Sequence, residues 1–280
     1  MKNPIFPCLW FDGNAKAAAE FYCSVFTNSK ITVDTPLMVN FELFGNKFMG
    51  LNGGPQFKFN PSVSFFVICE AESEIDSIWS KLLINGKVMM PLNKYPWSDK
   101  YGWIQDKYGI SWQLMMGHAD AMGGKRIPAF MFTGSQAGNA EHAMNFYASI
   151  FSDSSKIKDI NRYVEGEHDV AGTVKHGRFN LFDQSFVAMD SSAQHGFQFN
   201  EAISFVVDCE TQTEIDYYWD KLTKDGQESQ CGWLKDKFGV SWQIVPTILG
   251  KLMADPSKTQ RVVAAFTQMK KFDIEKLVTA

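Results

Sequence analysis

Gln113 and Gln243 close the same run of residues twice. GWIQDKYGISWQL spans Gly102 to Leu114 and GWLKDKFGVSWQI spans Gly232 to Ile244, with Gly, Trp, Asp, Lys, Gly, Ser, Trp and Gln recurring in place. A primary amide offers one acceptor oxygen and two N–H donors. On the inner face of a curved sheet it suits the orientation of a polar group on a ligand, or it is satisfied by backbone. One neutral amide oxygen does not hold a metal by itself, because divalent cations want carboxylate or imidazole donors beside it. Strand alternation turns Trp112 and Trp242 to the face opposite these glutamines, where they read as core. Trp103 and Trp233 fall on the neighbouring strand, as a wall of a ligand cavity or as core packing.

Other chemistry-bearing residues are not duplicated. Tyr95, Trp97 and Tyr101 cluster in a stretch of about ten residues that the second run lacks. They are expected as a lid over an apolar ligand or as cover between the two copies. His168 and His176 flank an expected strand over Ala171–Lys175 and are the best histidine candidates; His118, His142 and His195 read as surface residues. Cys231 beside Trp233 has no neighbouring histidine to activate it as a nucleophile. Glu74 with Asp76, and Glu214 with Asp216, read as helix first-turn charges that favour the dipole, not as a general acid/base pair.

The elements that must position these residues also come twice. GNAKAAAEFYCSVF (Gly13 to Phe26) matches GNAEHAMNFYASIF (Gly138 to Phe151), and FNPSVSFFVICEAESEIDSIWSKL (Phe59 to Leu82) matches FNEAISFVVDCETQTEIDYYWDKL (Phe199 to Leu222). A period near 130 residues is a repeated domain, not a solenoid unit. Each copy reads β-α-β-β-β twice. In the first, helices are expected over 15–26 and 73–84. Strands are expected near 5–11, 31–33, 38–44, 47–51, 62–68, 88–90, 102–106 and 111–115, with Gly45-Asn46 as a hairpin turn. In the second, helices are expected over 140–151 and 214–224. Gly123-Gly124-Lys125 reads as the linker. The tail from Thr247 is helical in pattern, with Asp273 placed to cap a last turn. The expected domains are 1–122 and 126–248, followed by a helical tail over 249–280.

Bulk composition narrows the function classes. The chain has 280 residues, 45% of them hydrophobic, 24 of them Phe, and a formal net charge of −4. Without a Lys/Arg-rich run, nucleic acid is not an expected partner. No apolar stretch reaches membrane-span length, and prolines interrupt the short apolar run near the start, so no signal peptide is expected. Five cysteines without a CxxC spacing indicate neither a disulfide framework nor a zinc knuckle. Cys69 and Cys209, repeat mates on strands, read as buried thiols. The expected location is the cytoplasm.

These segments, with MFTGSQAGNAEHAMNFYASIFSDSSKI and QCGWLKDKFGVSWQIVP, resemble the vicinal-oxygen-chelate superfamily of glyoxalases, bleomycin-resistance proteins and extradiol dioxygenases. More closely, they resemble its PhnB-like group labelled 3-demethylubiquinone-9 3-methyltransferase. The resemblance implies an α+β fold: tandem glyoxalase-like domains, each of two βαβββ modules forming cupped, mostly antiparallel sheets with helices outside. It also implies divalent-metal positions, which transfer to Pro7 and Pro128, Ser62 and Ala202, Gln113 and Gln243, and near Leu51 and Met189. Only the glutamines among them are ligand types, so no cofactor is expected.

Three functions stay open. The first is a small-molecule-binding protein without the superfamily metal, whose pocket residues would be Gln113, Gln243, Trp103, Trp233, Tyr95, Trp97 and His168. The second is a metal-dependent isomerase, lyase or dioxygenase with other ligands. The third is the methyl transfer named by the family label, for which the chain shows no GxGxG loop. The fusion implies an intrachain pair of the two copies, with further dimerisation through the C-terminal helices left open.

Overall fold

The computed structural model describes residues 5–151 and 154–280; residues 1–4, part of the stretch read for a leader, lie outside them. The first copy runs β1 (Ile5–Phe11), α1 (Ala15–Val25), β2 (Lys30–Asp34), β3 (Met38–Leu43), β4 (Asn46–Asn52), β5 (Val63–Cys69), α2 (Glu72–Leu82), β6 (Lys87–Tyr95), β7 (Ser98–Gln105) and β8 (Ser111–Met116). A short helix α3 (Ala119–Met122) leads to the second copy, which runs β9 (Arg126–Phe132), α4 (Ala140–Phe151), β10 (Lys156–Arg162), β11 (Val174–Leu181), β12 (Gln184–Asp190), β13 (Ile203–Cys209), α5 (Gln212–Thr223), β14 (Gln227–Glu228), β15 (Trp233–Lys235) and β16 (Ser241–Pro246). The tail forms α6 (Ile248–Met253), α7 (Thr259–Phe266) and α8 (Ile274–Thr279), and the Asp273 side chain accepts the Lys276 N–H at 3.1 Å as the expected cap. No helix among the described residues is long and apolar enough to cross a membrane.

The strands form two eight-stranded sheets, ordered β14-β15-β16-β13-β1-β4-β3-β2 and β10-β11-β12-β9-β5-β8-β7-β6. Each therefore takes a module from each copy. Neighbours are mostly antiparallel; β5–β8, β9–β12 and β13–β16 are parallel. Two compact units result. One joins the described residues up to Leu9 to Ile203–Ala280, and the other is Trp10–Ala202. The second sheet lies wholly inside the latter.

In the Trp10–Ala202 unit, the core sits on the helix-bearing faces. The helical spacing of α1 buries Ala18, Tyr22 and Val25 on one stripe, as a 3.6-residue period requires. Its Tyr22 and Phe26 rings meet Trp112 at 5.5 and 4.8 Å, and Tyr22 stacks on Phe41 at 6.1 Å. Trp112 is fully buried, so the expected core role holds. The duplicated motif is a turn that anchors this tryptophan. Asp106 Oδ1 accepts the N–H groups of Tyr108 and Ile110, and Oδ2 accepts the Trp112 indole N–H at 2.8 Å. Asp236 does the same for Phe238, Val240 and Trp242 in the other unit.

The structure corrects three expectations. The insertion around Tyr95 to Tyr101, where no strand is expected, is the outer half of one long hairpin, β6 paired with β7 through three register shifts. Pro91 and Pro96 hid it, because proline breaks the strand pattern and the bulges break period-two alternation. Secondly, β11 begins at Val174, after a turn in which Gly172 has φ of 89°. His176 is thus inside a strand rather than beside one. Thirdly, Pro7 and Pro128 do not occupy the face of the glutamines, as the register of both strands shows below. The paired acids behave as expected of surface charges: Glu74 meets Lys125 at 2.8 Å, Asp76 meets Lys100 at 2.7 Å, Asp216 meets Lys271 at 2.8 Å, and Glu214 completes a capping box with Thr211.

Candidate functional site

Opposite the helices, the β10-to-β6 sheet of the Trp10–Ala202 unit carries a second apolar layer. Its floor is Phe66, Ile68, Tyr101, Ile127, Ala129 and Val187, all buried; Met90, Tyr95, Trp103, Met115, Met122 and Met189 pack on it and remain partly open. The face is concave. His176 on β11 is three strand positions from Phe66 on β5, about 14 Å across a flat sheet at the usual spacing. Yet their rings lie 6.2 Å apart, edge to face at 85°. A curl of the sheet towards this side, with the two side chains leaning to meet, brings them together.

Gln113 stands in the middle of that face, 2% exposed. Its Oε1 accepts the Tyr101 hydroxyl at 2.5 Å, and its Nε2 donates to Ser64 Oγ at 2.8 Å. The amide is therefore locked in one orientation, with one Nε2 hydrogen to spare. Burial, and then the nearby Tyr95, pushes the Tyr101 phenol up, so it stays a donor at neutral pH. Trp103 pairs across the ladder with Gln113 and fixes its indole N–H on Ser111 Oγ at 2.7 Å. At the hairpin tip Tyr95 stacks on Trp97 at 5.0 Å, and both meet the edge or face of Tyr101, at 5.6 and 5.7 Å. Trp97 is 53% exposed. The structure thus brings Gln113, Trp103, Tyr95 and Trp97 together.

Gln243 and Trp233 belong to the other unit. Gln243 Nε2 donates to Ser204 Oγ at 2.9 Å, the same bond as in the first copy, and Trp233 pairs with Gln243 across the ladder. The tyrosine is missing: position 231 is cysteine, with φ of 58°, its Sγ on the Phe266 carbonyl at 3.7 Å. Cys8 joins Gln243 and Ser204 instead, and burial pushes its thiol up to about 12. Cys69 and Cys209, also about 12, are buried for the same reason. None of the three is poised as a nucleophile.

His168 does not join the site. It sits exposed in the β10–β11 loop, its ring 5.1 Å from that of Tyr163. His176 takes its place, half-buried against Phe66. Burial holds its pKa below the usual histidine value, with Asp159 opposing and Arg178 adding to the shift.

The register also moves the positions carried over from the resemblance. Cys8 pairs with Ser204 and Pro7 with Phe205, while Ala129 pairs with Ser64 and Pro128 with Phe65. The prolines share a face with Phe205 and Phe65, and Cys8 and Ala129 face with the glutamines. Ser62 and Ala202 precede their strands, and the strand serines on the glutamine face are Ser64 and Ser204. Met189 does line the concave layer. A divalent metal does not fit the donors at Gln113 itself: they are a hydroxyl, a phenol and an amide already bonded to one another. Among the described residues no three His, Cys, Asp or Glu side chains come together as a metal-binding group.

Sequence reasoning missed Ser64 and Ser204, and the anchoring role of Asp106 and Asp236. The aspartates had a signal, since Asp-Lys-aromatic-Gly recurs in both copies and that spacing suits an Asx-type turn. The serines had none beyond repetition.

A family profile described as 3-demethylubiquinone-9 3-methyltransferase matches residues 3–115 and 124–245. Among solved structures, glyoxalase I from Zea mays matches with a TM-score of 0.55 at 10% identity, over 90% of this chain and 97% of that one. At that identity the likeness shows the fold: glyoxalase-like and α+β. A PhnB protein from Bacillus cereus, also described as a 3-demethylubiquinone-9 3-methyltransferase, is 39% identical over 39% of this chain and 96% of its own, with a TM-score of 0.37. No curated protein matches. With both copies covered by its profile, the chain belongs to the 3-demethylubiquinone-9 3-methyltransferase family.

Proposed function

We propose that the concave face of the Trp10–Ala202 unit binds a small, flat, largely apolar molecule, oriented by the Gln113 amide. The observation that carries this is the ring of partly open Met90, Trp103, Met115 and Met189 around a buried apolar floor, with one locked amide at its centre. Apolar cavities with a few fixed polar groups are the usual form of small-molecule sites. Thioethers let such a surface adapt to the ligand's outline. Calorimetric titration of the full chain with 2-naphthol tests the reading. A saturable single site is expected, weakened at least about fivefold by Trp103→Ala, as loss of an aromatic anchor does. Saturable binding that ignores Trp103→Ala contradicts it.

The family description favours a second reading, methyl transfer to a demethylated quinone. It requires S-adenosylmethionine to bind, and the absence of heat on titrating that cofactor would remove it.

A further inference from the structure

We infer that His176 is a ligand-contacting, specificity-setting residue of this concave face, and that the ligand class it selects is uncharged and aromatic with a hydrogen-bonding oxygen. The inference rests on the binding role proposed for the face. It starts from the reach of the imidazole. His176 comes from the far side of the sheet, through the curl, to meet the Phe66 ring at 6.2 Å. Among the described residues no protein group hydrogen-bonds its ring nitrogens, whereas His195 engages Ser191 Oγ at 2.8 Å and His142 engages Asn139 Oδ1 at 3.4 Å. A half-buried imidazole with unengaged nitrogens, edge-on to an apolar floor, is a hydrogen-bonding group aimed at something the protein does not supply.

The charges around it decide the class of partner. From β10 the facing charge is Asp159, and from β11 itself it is Arg178. These two neutralise each other, Arg178 Nε and Nη2 donating to Asp159 Oδ2 at 2.8 and 2.5 Å, and Nη1 is taken by the Ala121 carbonyl at 3.0 Å. Polar groups of the face include Ser64, Ser111, Tyr101, Gln113 and His176. All are neutral near pH 7, since burial lowers the imidazole and raises the phenol. An anion entering here would lose its hydration without gaining a free cation. A neutral ring loses only water from apolar surface and gains Phe66, Trp103 and the methionines. Its oxygen can bond the spare Gln113 hydrogen or a His176 nitrogen.

Calorimetry of the full chain at pH 7.5 with 2-naphthol and with 2-naphthoate, the same ring bearing a carboxylate, separates the classes. Naphthol should bind at least about tenfold more tightly, the factor set by about 1.4 kcal/mol of unpaired desolvation. His176→Phe keeps the ring's bulk and loses its nitrogens. It should weaken naphthol about fivefold, while His176→Gln, which restores a hydrogen-bonding group, should recover part of the loss. If naphthoate binds as well as naphthol, the ligand class is wrong. If His176→Phe binds naphthol like the natural chain while Trp103→Ala does not, the histidine is no contact and the binding face stands without it. If neither probe saturates the natural chain, the binding role itself falls and this inference with it.

Discussion

The Tyr101 hydroxyl donates to Gln113 Oε1 at 2.5 Å, and this bond exists in only one of the two copies, because position 231 is a cysteine turned towards Phe266. Duplication supplied both glutamines with a serine partner, but only the first gained a phenol and the long hairpin that carries it. Tyr101→Phe leaves a buried amide oxygen without its donor, which costs about 1–3 kcal/mol. Urea unfolding should show that loss, and the equivalent Cys231→Ser should show much less.

Asp106 and Asp236 are each the hub of a turn and of a buried indole. Removing the carboxylate strands two backbone N–H groups and an indole N–H in the interior. Asp106→Ala and Asp236→Ala are each expected to destabilise by at least about 2 kcal/mol, with a changed near-ultraviolet signal from Trp112 or Trp242. A neutral result for both would mean that the turns hold without their caps.

His176 sets a pH dependence of stability. Its folded pKa lies below the ordinary value through burial, so the unfolded chain binds more protons between the two values. Its contribution is therefore undiminished above about pH 6.5, the unfolded pKa. It is lost as pH falls below that value and levels off once the folded pKa is passed. Chemical denaturation from pH 7.5 to 5 should record this slope, and His176→Gln should flatten it.

The tail packs on β15 and α5 within its own unit. Cys231 and Gly232 donate to the carbonyls of Met269 and Lys270 at 2.7 Å each, and the Gln212 side chain bridges the Phe272 carbonyl and the Ile274 N–H. Gly232 has φ of 80°, and a Cβ there would lie 2.5 Å from the Phe272 ring. Gly232→Ala is expected to cost about 1–3 kcal/mol from the left-handed backbone alone. It should also speed modification of the Cys231 thiol by a disulfide reagent as the tail loosens.

Much of this was legible in the residues. The positions of α1 and α2, the Gly45 turn and the Asp273 cap are local signals, and the chain keeps them. Sharing of sheets was not legible. Nothing in β5 or β9 says that they pair with each other across two copies, because that choice is made by long-range packing. The slip from Pro7 to Cys8 has the same origin. A strand's period is two, so an assignment one residue off reverses every face. The Val174–Leu181 strand starts later than its residue pattern suggests, because the turn at Gly172 delays it, and this puts His176 rather than His168 on the concave face.

Small molecules are expected to bind on the concave layer around Gln113. Methionine methyl groups report on it directly, since Met90, Met115 and Met189 line the layer and the chain has 13 methionines in all. In a protein labelled with 13C at these methyls, titration with 2-naphthol should shift the resonances of Met90, Met115 and Met189 together, saturably, with a single dissociation constant. If those three stay fixed while the ligand binds, or if the shifts gather on methionines elsewhere, the site is not here.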